Sequence, residues 1–222
     1  MTPVSDIFNR APVNDCEQEK APVKCVIIGD GCVGISCLLS VYTQKVFPTS
    51  WTPTVFDTHP TTLKIDNEDI DAIIWELANQ EGYQSLRRVA YLNTDVFILV
   101  FTVDNQDSSE NVEEMWKKEL EGVFPKGQVP PIVLVGTKTD LRGGKTRHDR
   151  PLTTYKDGVE LAKRIGARRY VECSAKTDPQ SCHNVFETAV REALVKKKSV
   201  KSPALSLSCF KTESPQLDDE RW

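Results

Sequence analysis

The segment Gly29-Asp30-Gly31-Cys32-Val33-Gly34-Ile35-Ser36 sets glycines at both ends of a short loop and a hydroxyl just beyond the second. It follows a β-branched run, Val23 to Gly29, and opens a stretch with Leu38, Leu39 and Tyr42 at helical spacing. Strand, glycine loop and helix in that order form a cradle for phosphate. The glycines let the backbone turn and approach an anion, the helix start offers unpaired N–H groups and the positive end of its dipole, and Ser36 presents a hydroxyl to magnesium. The pattern GxxxxGK[ST] carries a lysine before the hydroxyl, and here that position is Ile35. Alone, such a loop also reads as a plain strand-to-helix turn.

Further candidates follow in order: Thr54 within TPTVFD, the run Trp75-Glu76-Leu77-Ala78-Asn79-Gln80-Glu81, then Thr137-Lys138-Thr139-Asp140 and Cys173-Ser174-Ala175-Lys176, each of the last two after a strand-like run. The histidines His59, His148 and His183 show no partner pattern and read as surface residues. Seven cysteines without a CxxC spacing suggest neither a disulfide framework nor a zinc site, and a reducing compartment fits them.

The elements that must position these residues alternate. Val55 to Ile65 and Ile70 to Trp75 read as a hairpin around the turn-like Asp66 to Asp69. A strand at Asp95 to Val103, a polar helix around Ser109 to Gly122, a strand at Ile132 to Gly136, a helix near Asp157 to Ile165, a short strand at Tyr170 to Cys173 and a helix from about His183 to Lys197 follow. This order predicts an α/β fold with a mostly parallel sheet covered on both faces. Residues 1–22 and 199–222, rich in Ser, Pro and charge, read as disordered extensions of one domain at 23–198.

A length of 222 residues suits one such domain. The formal charge of −4 argues against nucleic-acid binding, which needs a basic face to displace counterions. The acidic start of the chain lacks the apolar core of a secretory signal, and no run is long and apolar enough to span a membrane. A cytoplasmic location is expected.

The five motifs, in order and spacing, resemble the nucleotide motifs of the Ras superfamily of small GTPases, and VKCVIIGDG, FPTSWTPTVFD, TDVFILVF and LVGTKTDLR resemble its Rho/Rac branch. The resemblance covers roughly residues 22–195 and implies a P-loop G domain with a six-stranded sheet. It implies that Asp140 reads the guanine ring and Lys138 packs beneath it, with Thr137 in place of the usual Asn. Ser174, Ala175 and Lys176 would hold the base edge, and Phe47 would cover it. Gly29, Gly31, Cys32, Val33, Gly34 and Ser36 would wrap the phosphates of GTP or GDP. Ser36 and Thr54 would ligand magnesium, weakly, and Gln80 would orient the attacking water.

The phosphate half departs from the family pattern at Ile35 for lysine, Glu76 for aspartate, Leu77 for a small residue and Asn79 for glycine. Loss of one partner of a desolvated charge pair costs about 2–5 kcal/mol, so phosphate binding is expected to weaken. The longer Glu76 misplaces its oxygens for octahedral magnesium, and Asn79 restricts a hinge. Gln80 is then vestigial, because phosphoryl transfer depends on placed phosphates and metal. Arg87 and Arg88, in the second switch, are candidates to replace the lost charge.

Three readings follow: a Rho-like pseudo-GTPase acting through effectors, a functional GTP/GDP switch in cytoskeletal signalling, and a nucleotide-free decoy or scaffold for Rho regulators. Thr54 to Asp57 and the second switch would meet effectors or regulators, unless this is an ordinary edge strand. The segment after Asp140 is shorter than the Rho insert, and the terminus lacks a CaaX box. Lys196, Lys197, Lys198 and Lys201 with Cys209 read either as a polybasic, acylated membrane contact or as lysines closing a helix beside an unmodified cysteine.

Overall fold

The computed structural model describes residues 21–50, 54–77, 79–143 and 151–200. The expected N-terminal extension up to residue 20, the C-terminal tail with Lys201 and Cys209, and His148 lie outside the described residues.

Six strands form one sheet in the order β2-β3-β1-β4-β5-β6. β1 (Val23–Gly29), β3 (Glu68–Leu77), β4 (Val96–Thr102), β5 (Ile132–Thr137) and β6 (Arg169–Glu172) run parallel. Only β2 (Phe56–Ile65) is antiparallel, hairpinned to β3 with Phe56 opposite Leu77 and Ile65 opposite Glu68. The left-handed conformations of Asp66 (φ 52°) and Asn67 (φ 68°) close that turn, residue types that tolerate it well. Pro60 sits opposite Ile73 in β2, an edge strand, where a residue without an N–H is best tolerated in a sheet.

Side chains alternate across each strand, so β1 and β4 feed two cores. Cys25, Ile27, Val96, Ile98 and Val100 pack under α1 (Ile35–Gln44) and α6 (Pro179–Val200). Val26, Ile28, Phe97, Leu99 and Phe101 pack with Trp116, Leu120 and Leu161 on the opposite face. That face carries α2 (Gln84–Ala90), a continuous helical run of α3 (Gln106–Asn111), a π-helical segment (Val112–Lys117) and α4 (Lys118–Glu121), and finally α5 (Tyr155–Ile165).

The sequence expectation departs from this fold at several ends. α2 was not anticipated, being short and with Leu86 and Val89 exposed rather than in a buried stripe. The polar helix begins at Gln106, where the Asn105 side chain accepts from the Asp107 N–H as an N-cap. α6 begins at Pro179, a residue suited to a first helical turn, and continues past 198 to Val200. Lys196 and Lys197 therefore belong to a helix, and Lys197 Nζ is paired with Asp95 at 2.9 Å.

Parallel strands share one direction, so the loops after β1, β3, β5 and β6 emerge at the same edge. The antiparallel β2 starts at that edge, because Phe56 pairs with Leu77. Thr54, two residues before β2, lies on the stretch of chain that enters the sheet at this edge.

Candidate functional site

The loops after β5 and β6, with the start of α1, enclose a cavity of about 160 Å³ lined by Gly34, Cys37, Leu38, Phe47, Thr137, Lys138, Asp140, Leu141, Cys173, Ala175 and Lys176. Six residues expected to meet a base (Phe47, Thr137, Lys138, Asp140, Ala175 and Lys176) line it together. Ser174 is buried behind it and donates its Oγ proton to Asp140 Oδ1 at 2.6 Å, while accepting from the Thr177 N–H at 3.2 Å. One carboxylate oxygen is thus fixed from within and the other remains for a ligand. Lys138 holds a positive φ of 58° and its Nζ lies 3.5 Å from Asp104 Oδ1, which lays the aliphatic stem along the cavity.

Thr137, where the family pattern has Asn, is buried and its hydroxyl faces the Val33 carbonyl at 2.5 Å and the Phe101 carbonyl at 3.1 Å. It has one proton, so it serves the nearer acceptor and ties β5 to the glycine loop. Cys37 and Leu141 also line the cavity and were not singled out from sequence, their spacing relative to the motifs being the available signal; Cys173, which opens the last motif, and Leu38, read only as a helical core position, line it too. Burial holds the Cys37 thiol above its usual pKa, against the opposing pull of Lys138.

The glycine loop is held from behind. Asp30 accepts from Trp116 Nε1 at 2.8 Å and from Asn111 Nδ2 at 2.7 Å, which attaches it to the π-helical segment and the end of α3. Gly34 is the N-cap of α1 with φ 97°, a conformation that a side chain resists. Ile35 does not stand in the loop as a lysine would. It is buried among Leu38, Leu39 and the residues beneath α1. Leu77 is buried likewise, in the core on the other face.

Asn79 leans over the loop: a Cβ built on Gly31 would lie 2.8 Å from its Nδ2. Gln80 is exposed, and its carbonyl accepts from Arg87 Nη1 at 2.8 Å. Arg87 is buried and bonds both oxygens of Glu119, at 2.8 and 2.7 Å, with Tyr91 Oη donating to the same carboxylate. A guanidinium so engaged is not available to replace a lysine at the phosphates. Arg88 stays exposed on α2.

Glu76 is buried, and Ser36 Oγ donates to its Oε1 at 2.7 Å. Its Oε2 faces His59 Nε2 at 3.5 Å, with Asp57 Oδ2 at 3.8 Å from the same nitrogen. His59 is therefore half-buried in an ion pair rather than a bare surface residue. The sequence could not show this, because the contact is made across the β2–β3 hairpin. At 3.5 Å the contact is electrostatic rather than a hydrogen bond of normal geometry, and Nε2 makes no hydrogen bond among the described residues. Its pKa is raised above 6.5, first by Glu76 and secondarily by Asp57, against burial.

The magnesium ion that the resemblance implies would need Ser36, Thr54 and a carboxylate with an oxygen to spare. Both Glu76 oxygens are already engaged by this chain's own groups. No group of three or more His, Cys, Asp and Glu is placed to hold a metal among the described residues. Octahedral magnesium tolerates misplaced ligands poorly, and this donor set does not fit it.

The sheet and its convergent loops define a P-loop G domain of the GTP-binding, small-GTPase class. A family model described as the Ras family matches residues 24–195, and the chain belongs to that family. Its members generally use magnesium with guanine nucleotide. No helix among the described residues is long and apolar enough to cross a membrane.

Proposed function

We propose that the chain is an atypical, Rho-type signalling protein: a pseudo-GTPase that retains guanine recognition, binds GDP or GTP weakly, hydrolyses GTP slowly or not at all, and acts through effector proteins. One observation carries the reading. The base cavity is assembled around an oriented Asp140, while Ile35, the residue that replaces the phosphate lysine, is packed into the core. Base recognition and phosphate recognition have come apart.

The choice of guanine follows from a carboxylate facing the N1–H and exocyclic amino group, which adenine does not offer in that arrangement. The absence of hydrolysis follows from lost charge at the phosphates, a crowded switch at Asn79 and an Arg87 committed to Glu119. Effector binding is supported by the free outer edge of β2 and by exposed Val55, Phe56, Leu86 and Val89 beside it and on α2. The domain spans 23–198 with extensions on either side, and a cytoplasmic location fits these parts.

Titration calorimetry of purified protein with GDP and GTP tests the reading. Weak but measurable binding, tightened in Ile35→Lys and abolished in Asp140→Ala, is expected. Tight binding with turnover in the native chain would restore the functional switch, and no binding in any variant would favour the decoy.

A further inference from the structure

We propose that the groove at the end of the sheet opposite the base cavity is the docking site for this chain's own segment 213–222, Glu-Ser-Pro-Gln-Leu-Asp-Asp-Glu-Arg-Trp. The site is independent of the nucleotide.

The groove has a volume of about 940 Å³ and lies where β5 begins. Its floor is apolar: Leu120, Ile132 and Ile165 are buried, and Phe124 and Val129 are half-buried. The Phe124 ring stands edge-on to Phe97 of the core at 5.8 Å. The loop beyond it is closed by the Gln128 N–H on the Pro125 carbonyl at 2.9 Å, with Gly127 at φ 78°, so the floor is preformed. The rim is cationic. Lys126 and Arg168 are exposed there and make no ion pair among the described residues, while Glu121, the one carboxylate of the lining, already faces Lys117 Nζ at 3.8 Å.

Segment 213–222 has the complementary character. Glu213, Asp218, Asp219 and Glu220 outnumber the single cation Arg221, and Leu217 and Trp222 suit an apolar floor, tryptophan being a side chain that commonly anchors such contacts. The chain is placed for it. Lys196 of α6 lines the groove, α6 ends one helical turn later at Val200, and residues 201–212 are left to span the gap, with a reach of at most ~40 Å. So short a tether holds the segment at a local concentration in the millimolar range, and a dissociation constant of about 0.1 mM then keeps it docked about nine-tenths of the time. Residues 1–20, which carry Asp6, Asp15, Glu17 and Glu19, enter instead at β1, two strands from β5.

Amide hydrogen exchange of the full chain, read by mass spectrometry, tests the assignment. The occupancy above predicts that amides of 213–222 exchange ~10-fold more slowly in the native chain than in Lys126→Glu/Arg168→Glu, which reverses two exposed cations and touches no core residue. Adding Asp218→Lys and Asp219→Lys to that variant should restore the protection. Equal exchange in the native and reversed chains overturns the proposal, and so does loss of protection without recovery in the charge-swapped protein. Protection confined to residues 1–20, or protection of 213–222 that rises with protein concentration, puts another segment or a second copy in the groove and overturns it as well.

Discussion

Replacing Ile35 with lysine should trade stability for phosphate affinity. Ile35 is 9% exposed and belongs to the core under α1, where full burial of an isoleucine contributes ~1.5–3 kcal/mol. Lysine keeps part of that contact through its methylenes, but its ammonium must reach solvent or an anion, so a net loss of about 1–2 kcal/mol is expected in the nucleotide-free protein. For a domain of this size each kcal/mol lowers the melting temperature by ~2–4 °C, which gives a fall of ~2–8 °C. With GDP present the sign reverses. A restored charge pair contributes ~2–5 kcal/mol, a gain of roughly thirtyfold to several thousandfold in affinity. Differential scanning calorimetry of nucleotide-free protein, followed by GDP titration, reads both halves. An unchanged nucleotide-free melting temperature would refute the claim that Ile35 is a core residue, and unchanged GDP affinity would refute the claim that its lost charge limits binding.

Arg87→Ala leaves Glu119 buried and uncompensated and should destabilise by ~3–5 kcal/mol in a urea melt. Burial pushes the Glu119 carboxyl up, but bonds from Arg87, Tyr91 and Gln84 outweigh it, so its folded pKa lies below the usual 4.5. Its contribution is therefore complete above 4.5 and lost as pH falls through the folded value, and the acid limb of the stability profile should be shallower in Glu119→Gln. Gly34→Ala, which forces a side chain to φ 97°, should cost ~1–2 kcal/mol, whereas Gly31→Ala should cost less because the Asn79 amide it meets is the free end of a side chain; equal losses in paired melts would contradict this. Ser174→Ala removes the internal bond to Asp140 and should weaken GDP binding by ~10- to 150-fold, read by calorimetry, given ~1.5–3 kcal/mol for a bond to a charged group.

The base half of the site was legible in the sequence because most of its residues end or follow a strand: Thr137 closes β5, Lys138 and Asp140 come just after it, and Ser174, Ala175 and Lys176 come two to four positions after β6. Such strands announce themselves as β-branched runs: Val23 to Gly29 coincides with β1, and the run at Ile132 falls one residue short of β5. The motifs then inherit a common edge from the parallel topology. What stayed hidden were contacts between residues distant along the chain. His59 read as a surface histidine until the hairpin register set it against Glu76, and Arg87 read as a mobile cation until α4 brought Glu119 beneath it. The tether from Trp116 to Asp30 has the same character, since nothing in the local spacing of either residue points to the other.

The order of the sheet divides the labour of the site. The loops that would meet phosphate leave β1 and β3, and those that shape the base cavity leave β5 and β6, with β4 as a wall between them. The two sides meet at Gly34 and at the bond from Thr137 to the Val33 carbonyl. The base cavity and the glycine loop are thus carried on different strands of one sheet, which is what lets Ile35 sit in the core while the walls around Asp140 stay assembled.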